Sequence, residues 1–278
     1  MIGRRSRSLG DVLKDVPGEE SITVAWWNGG GAVRKRLCVN PGLKKFIKTK
    51  PDIWTYSESG LTKPKSLSLD GYNYFIHRPF LKDKNKCRRG MVLFYRLKFC
   101  HKIAKVFASK LFDIVWLRLA TKSGVFFICY FYAPGAHHEE TLRVKFYNTL
   151  CRSFEKFSKL GKVFMLCDSN ARLGKFTNDL NIHGQLIKNN NSNLFMGFLE
   201  YSGLIMLNRL YTFGESTYEI IGERKSIIDY ALTNAESIVK KFEILPIHLG
   251  ASSQICHKIL RLTLKISIDK NTRCLIPE

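Results

Sequence analysis

Short runs of β-branched and aromatic residues recur along most of this chain, each closed by turn formers, and nothing else in it narrows the possible folds as much. Such runs read as strands of a buried core. They fall at 22–27, 52–57, 72–76, 91–96, 103–108, 111–119, 125–132, 163–167, 204–207, 226–232 and 259–266. Polar residues stand where four of them end: Asn28 after Val24–Trp27, Glu58 after Ile53–Tyr56, Asp168 and Asn170 after Val163–Cys167, and Asp229 after Ile227–Ile228. Groups at the end of a core strand are held rigidly at the rim of a sheet, which is where catalytic side chains belong.

Helical patterns are fewer. Pro41-Gly42 opens a short one with Leu43, Phe46 and Ile47 on one face. A longer one follows Pro134, where Leu142, Phe146, Leu150, Phe154 and Phe157 form a stripe of core-facing packing. A third is expected over Asn193–Tyr201 with Ser192 as its cap. The segment Lys82–Arg89 and the run Asn189–Asn191 read as loops. Many strands with a few irregularly placed helices predict an α+β fold of sheets packed face to face with helices outside. The expected division is a flexible arm over 1–20, one domain over 21–268 and a tail over 269–278.

With 278 residues, 45% of them hydrophobic and 12% aromatic, the chain can bury a large core and is not a disordered one. Its 45 Lys and Arg against 23 Asp and Glu leave a formal charge of +22, which attracts polyanions, nucleic acid before anionic membrane. The eight cysteines are scattered with no Cys-x-x-Cys pair, which argues against a zinc site or a disulfide framework; Cys129 and Cys167 read as small buried hydrophobes in a reducing compartment. The basic start leads into Asp11, Asp15, Glu19 and Glu20 rather than an apolar signal core. Val125–Ala133, the longest apolar stretch, is too short to span a bilayer. An intracellular protein without a membrane partner is expected.

The polar clusters match what phosphodiester hydrolysis needs: a cation to neutralise developing charge, an activated water, and donors to the phosphate. Mg²⁺ takes hard oxygen ligands, for which Glu58 is the best-placed carboxylate. Asp168 would align or deprotonate the water while Asn170, two residues on, donates to the phosphate. Asp229 and His257 offer a carboxylate–imidazole pair, and Tyr132 a phenol at the end of its strand. Each also has an ordinary structural alternative: a surface glutamate, an Asx-turn at Asp168–Asn170, a satisfied lone histidine, a structural tyrosine.

Taken in order, Trp27-Asn28-Gly29-Gly30, Pro51-Asp52-Ile53 followed by Glu58, Arg89-Gly90-Met91-Val92, Tyr132-Ala133-Pro134, Cys167-Asp168-Ser169-Asn170-Ala171, Leu207-Asn208, Thr212-Phe213 and Ser226-Ile227-Ile228-Asp229-Tyr230 resemble the endonuclease/exonuclease/phosphatase superfamily. They are most similar to the apurinic-type endonucleases of non-LTR retrotransposons. The resemblance implies a deoxyribonuclease I-like four-layer sandwich with its active site at one edge. It implies Glu58 and Asn28 as metal residues for Mg²⁺ or Mn²⁺, and Asp168, Asn170, Tyr132, Asp229 and His257 as the catalytic group. It further implies a monomeric, nuclear enzyme that nicks one DNA strand to leave a 3′-hydroxyl, with a reverse transcriptase domain expected in a full-length element and absent from this chain. Cys256 stands where the family usually has the aspartate of Ser-Asp-His, and Gly30 where repair members carry a polar residue. The first departure motivates an alternative, a nucleic-acid-binding relic with weakened catalysis; a phosphatase of the same superfamily is the remaining one.

Overall fold

Strands buried on both faces need apolar side chains at successive positions rather than at alternate ones, and the central strands of this protein obey that rule. The computed structural model describes residues 20–31, 33, 37–38, 40–61, 67–79, 90–174, 188–220, 224–247 and 255–267. The expected tail over 269–278, residues 1–19 of the expected arm and the loop Lys82–Arg89 lie outside the described residues.

Two six-stranded sheets form the body. The first runs β13 (Val239–Leu245), β15 (Ile259–Lys265), β1 (Ser21–Asn28), β2 (Ile53–Ser57), β4 (Met91–Arg96), β3 (Tyr72–His77). The second runs β5 (Ile103–Ala108), β6 (Asp113–Thr121), β7 (Gly124–Tyr132), β8 (Lys162–Asp168), β12 (Asp229–Thr233), β9 (Ile205–Met206). A small third sheet joins β11 (Arg224–Ser226), β10 (Tyr218–Ile220) and β14 (Ile255–His257). Both large sheets are mixed, because β1 is parallel to β2 and β7 to β8 while the other described pairings are antiparallel.

Alternation along each strand sorts its side chains into layers. Ile22, Val24 and Trp26 of β1 face inward, with Ile53 of β2, Ile128 and Tyr130 of β7 and Phe164 and Leu166 of β8, into the core between the sheets. Ala25 and Trp27 face the other way, with Trp54 and Tyr56, onto the helix α1 (Pro41–Lys48), which buries Leu43 and Phe46 there. Pro41 lies in its first turn, as the sequence predicts, and the Asn40 side chain caps it by accepting from the Leu43 amide at 2.7 Å. The outer face of the second sheet is covered by α2 (Glu140–Ser158) through Phe146, Leu150, Phe154 and Phe157, and by α3 (Ser192–Ser202) through Phe195, Phe198 and Leu199. The result is the expected α+β sandwich of helix, sheet, sheet and helix.

Strands β10, β13 and β14 lie outside the runs read from the sequence, and local expectations differ from the structure in three further places. Ser192 is the first residue of α3 rather than its cap; Asn191 takes the cap position without a capping side-chain bond, and the Ser192 hydroxyl instead donates to the Arg172 carbonyl. The run 204–207 yields only the two-residue β9 before a short helix α4 (Leu207–Tyr211) takes over. The run 226–232 is two strands, not one: the chain leaves the small sheet after Ser226 and joins the second sheet at Asp229. Asp229 therefore opens a strand instead of closing one.

Candidate functional site

The two parallel pairs end together at one edge of the sandwich. In β1 and β2, Asn28 is in register with Ser57, and Glu58 follows directly. In β7 and β8, Tyr132 is in register with Asp168. The antiparallel strand β12 starts level with that end, so Asp229 is the direct partner of Asp168. Asn28 ties the two sheets here, its side-chain amide donating to Oδ2 of Asp168 at 3.0 Å while its oxygen accepts from the Gly30 amide at 3.1 Å. All seven residues singled out from the sequence come to this edge.

The turns that carry them are unusual. Glu58 and Asn170 both have φ of 51°, a left-handed backbone that non-glycine residues adopt infrequently and that Lys50 shares, with φ of 53°, after α1. Asn170 is held by its amide, which donates to Asp168 Oδ1 at 2.9 Å, and by its side chain, which donates to the Ala133 carbonyl at 2.9 Å. The Asx-turn expected as an alternative reading is thus present and coexists with a place in the site. Gly29 is required beside Asn28: a Cβ there would lie 2.0 Å from the ring of Tyr56, whose hydroxyl is 2.6 Å from the Gly31 carbonyl and 3.1 Å from that of Gly29.

His257, at the end of β14, closes the cluster. Its Nδ1 lies 3.0 and 3.2 Å from the two Asp229 oxygens, and its Nε2 is 3.9 Å from Asp168 Oδ2. Burial alone would drive this imidazole toward its neutral form, but the Asp229 charge and hydrogen bond, helped by Asp168 and Glu58, outweigh it and raise the pKa to about 9. Asp168 is fully enclosed and faces Asp229, so its pKa is pushed up to about 7 against the opposing pull of His257, Asn28 and Asn170. Tyr132 is held well above its ordinary 10 by burial, then by the charges of Glu58 and Asp168, and its hydroxyl bonds Glu58. It stays a donor at any working pH.

Several supporting residues have tasks that sequence reading does not assign. The Trp26 indole N–H donates to Asp229 Oδ1 at 3.3 Å and the Trp27 indole to the His257 carbonyl at 3.0 Å. Thr217 Oγ1 accepts from the amides of Ile228 and Asp229, at 3.1 and 3.0 Å, and pins the crossing between sheets. Asn208 acts as a surrogate strand beside β12, donating to the Asp229 carbonyl at 3.1 Å and accepting from the Ala231 amide at 2.9 Å. Leu207-Asn208 is visible as a sequence motif, but its task is not.

Two donor sets here could be asked to hold a cation. Asp168, Asp229 and His257 each offer a ligand atom within 4.8 Å of the others. That set suits a hydrogen-bonded triad better, since Nδ1 is committed to Asp229 and a protonated imidazole repels a metal. Glu58 and the side-chain oxygen of Asn28 fit a hard divalent ion, being oxygen donors at the ends of adjacent strands.

No model of a known protein family matches the sequence, and no curated protein does. Solved structures do match. The AP endonuclease LMAP of Leishmania major superposes with a TM-score of 0.69 at 13% identity, covering 88% of each chain. The fold is that of the AP endonucleases. The endonuclease domain of TRAS1, a telomere-specific non-LTR retrotransposon, superposes with a TM-score of 0.60, also at 13% identity, over 88% of this chain and 98% of that one. This nuclease fold is the one the ordered motifs imply, and at such low identity the likeness speaks for the fold alone. Among the described residues no helix is long and apolar enough to cross a membrane.

Proposed function

We propose that the protein is a divalent-metal-dependent DNA endonuclease that nicks one strand and leaves a 3′-hydroxyl. The observation that carries the reading is His257 held between Asp229 on Nδ1 and Asp168 beyond Nε2, at the edge where Asn28, Glu58, Tyr132 and Asn170 also end. Asp168, once ionised, takes a proton from the attacking water; its raised pKa makes it a competent base near neutrality. His257 as imidazolium and the Asn170 side-chain amide donate to the phosphate oxygens, while the Tyr132 hydroxyl, whose one proton goes to Glu58, orients that carboxylate. Water adds to phosphorus as its proton passes to Asp168, the bond to the 3′ oxygen breaks, that oxygen takes up a proton from solvent, and the strand is left with a 3′-hydroxyl and a 5′-phosphate. Mg²⁺ or Mn²⁺ held by Glu58 and Asn28 would supply positive charge against the phosphate.

The substrate assignment rests on the formal charge of +22, which suits a polyphosphate backbone and which a small-molecule phosphatase does not require. A primed template for reverse transcription, in the nucleus, is the setting in which such a 3′-hydroxyl is useful. The test is extension of the nicked product by a DNA polymerase without prior phosphatase treatment. Direct extension supports the proposed product; extension only after 3′-phosphate removal would overturn it.

A further inference from the structure

Besides Asp168 and Ala133, the left-handed turn of Asn170 is held from outside the catalytic group, its carbonyl accepting from the Asn189 side-chain amide at 2.8 Å and from that of Asn191. Asn191 is fully buried, and its side-chain amide nitrogen lies 2.8 Å from the Pro134 carbonyl and 3.3 Å from those of Ser169 and Asn170. It therefore reaches both the segment after Tyr132 and the segment after Asp168. A flipped Asn191 amide would turn its oxygen against those carbonyls. Arg143 prevents the flip: its guanidinium, which can only donate, lies 3.4 Å from Asn191 Oδ1.

Arg143 is itself buried on α2, whose apolar stripe is packed into the outer core. Among the described residues its hydrogen bonds go to the carbonyls of His138 and Asn190 and to Asn191, and none of these partners is a carboxylate. A guanidinium taken out of water for neutral partners is a poor way to stabilise a helix that an apolar side chain would pack equally well. Its arrangement makes sense as a clamp that orients Asn191.

We infer that Asn191 and Arg143 are positioning residues for Asn170, joining α2 to the two segments that carry Tyr132 and Asp168. The kinetic consequence rests on the endonuclease reading; the geometric one does not. Loss of the clamp loosens the turn that presents the Asn170 side chain, which still bonds the Ala133 carbonyl, and leaves Glu58 and the basic surface untouched.

The experiment is a nicking cycle on supercoiled plasmid with Asn191→Ala, Arg143→Met and Asn170→Ala, singly and paired, together with NMR of the Asn170 side-chain amide in ¹⁵N-labelled protein. Asn191→Ala and Arg143→Met should each lower kcat roughly 10- to 100-fold, as loss of an outer partner of a catalytic group does. KM for plasmid and the Mg²⁺ needed for half-maximal rate should not move. On an Asn170→Ala background the added loss should shrink to less than about threefold, because there is no side chain left to orient. Losses that multiply, or a kcat that does not change, overturn the inference. Asn191→Asp, which keeps the volume and the Arg143 partner but sets a carboxylate against three carbonyls, replaces Asn191→Ala if that variant does not fold. Should wild type prove inactive, the endonuclease reading fails by itself, and the NMR arm still decides: a shifted or broadened Asn170 amide in either variant supports positioning, and an unmoved one refutes it.

Discussion

The two carboxylate oxygens of Asp229 lie 3.2 and 3.0 Å from Nδ1 of His257, and the Trp26 indole N–H bonds one of them. Asp229 is wholly buried, so its partners set the direction of its charge, and that charge sets both the tautomer and the protonation of the imidazole. The pair is a single device rather than two contacts.

Asp229→Asn and His257→Ala should accordingly lower the nicking rate to similar extents and far from additively. The double variant should resemble the worse single one, since an imidazole without its carboxylate is already misoriented and less often protonated. Fully multiplicative losses in kcat/KM would show that the two do not work together.

The pH dependence follows from the same geometry. The proposed mechanism needs Asp168 ionised and His257 protonated, so kcat/KM should rise through about 7 and fall above about 9. A cation near Asp168 favours its carboxylate, so raising Mg²⁺ should move the acid limb to lower pH. His257→Ala should remove the alkaline limb. The raised imidazole pKa also stabilises the fold below the ordinary 6.5, a contribution lost as pH rises to about 9. A profile measured at several Mg²⁺ concentrations checks both limbs, and a flat profile between pH 6 and 10 would exclude the assigned roles.

Gly29→Ala tests how the Asn28 end of the site is shaped. Its Cβ would meet the buried Tyr56 ring at 2.0 Å, and overpacking of that kind typically costs about 1–3 kcal/mol. A lower melting temperature with a disturbed Asn28 turn, and hence weaker nicking, is the expected outcome. A variant as stable and active as wild type would contradict the tight approach.

DNA affinity should survive Glu58→Gln and Asp168→Asn but fall steeply with salt, with a log–log slope near −0.9 for each phosphate contacted. Fluorescence anisotropy across a salt series reads this directly. Salt-independent binding would favour a small-molecule substrate.

Much of this was legible in the sequence because strands buried on both faces leave an unbroken apolar run, and polar residues at their ends stand out. Asn28, Glu58, Tyr132, Asp168 and Asn170 were found that way, and the stripe of α2 by its helical spacing. β13 was missed for the opposite reason: as an edge strand it alternates, with Lys241 and Glu243 on the exposed side paired with one another and with Arg261. The break at Ile227–Ile228 hid inside a run that looks like one strand, because these two connecting residues are themselves apolar and buried and lead directly into β12. Trp26 and Asn191 were out of reach altogether. Trp26 and Asp229 are 203 residues apart in the chain, and a hydrogen bond across that distance leaves no local pattern.

The most direct test of the account is conversion of supercoiled plasmid to nicked circles with Mg²⁺, with EDTA, and with Glu58→Gln and Asp168→Asn proteins. Nicking by wild type only with the metal is expected, with each variant slower by on the order of 10²- to 10³-fold and folded as wild type by circular dichroism. Nicking that persists in EDTA, or a variant with near wild-type rate, would contradict the metal and base assignments; a folded, DNA-binding wild type that never nicks would contradict the enzyme itself.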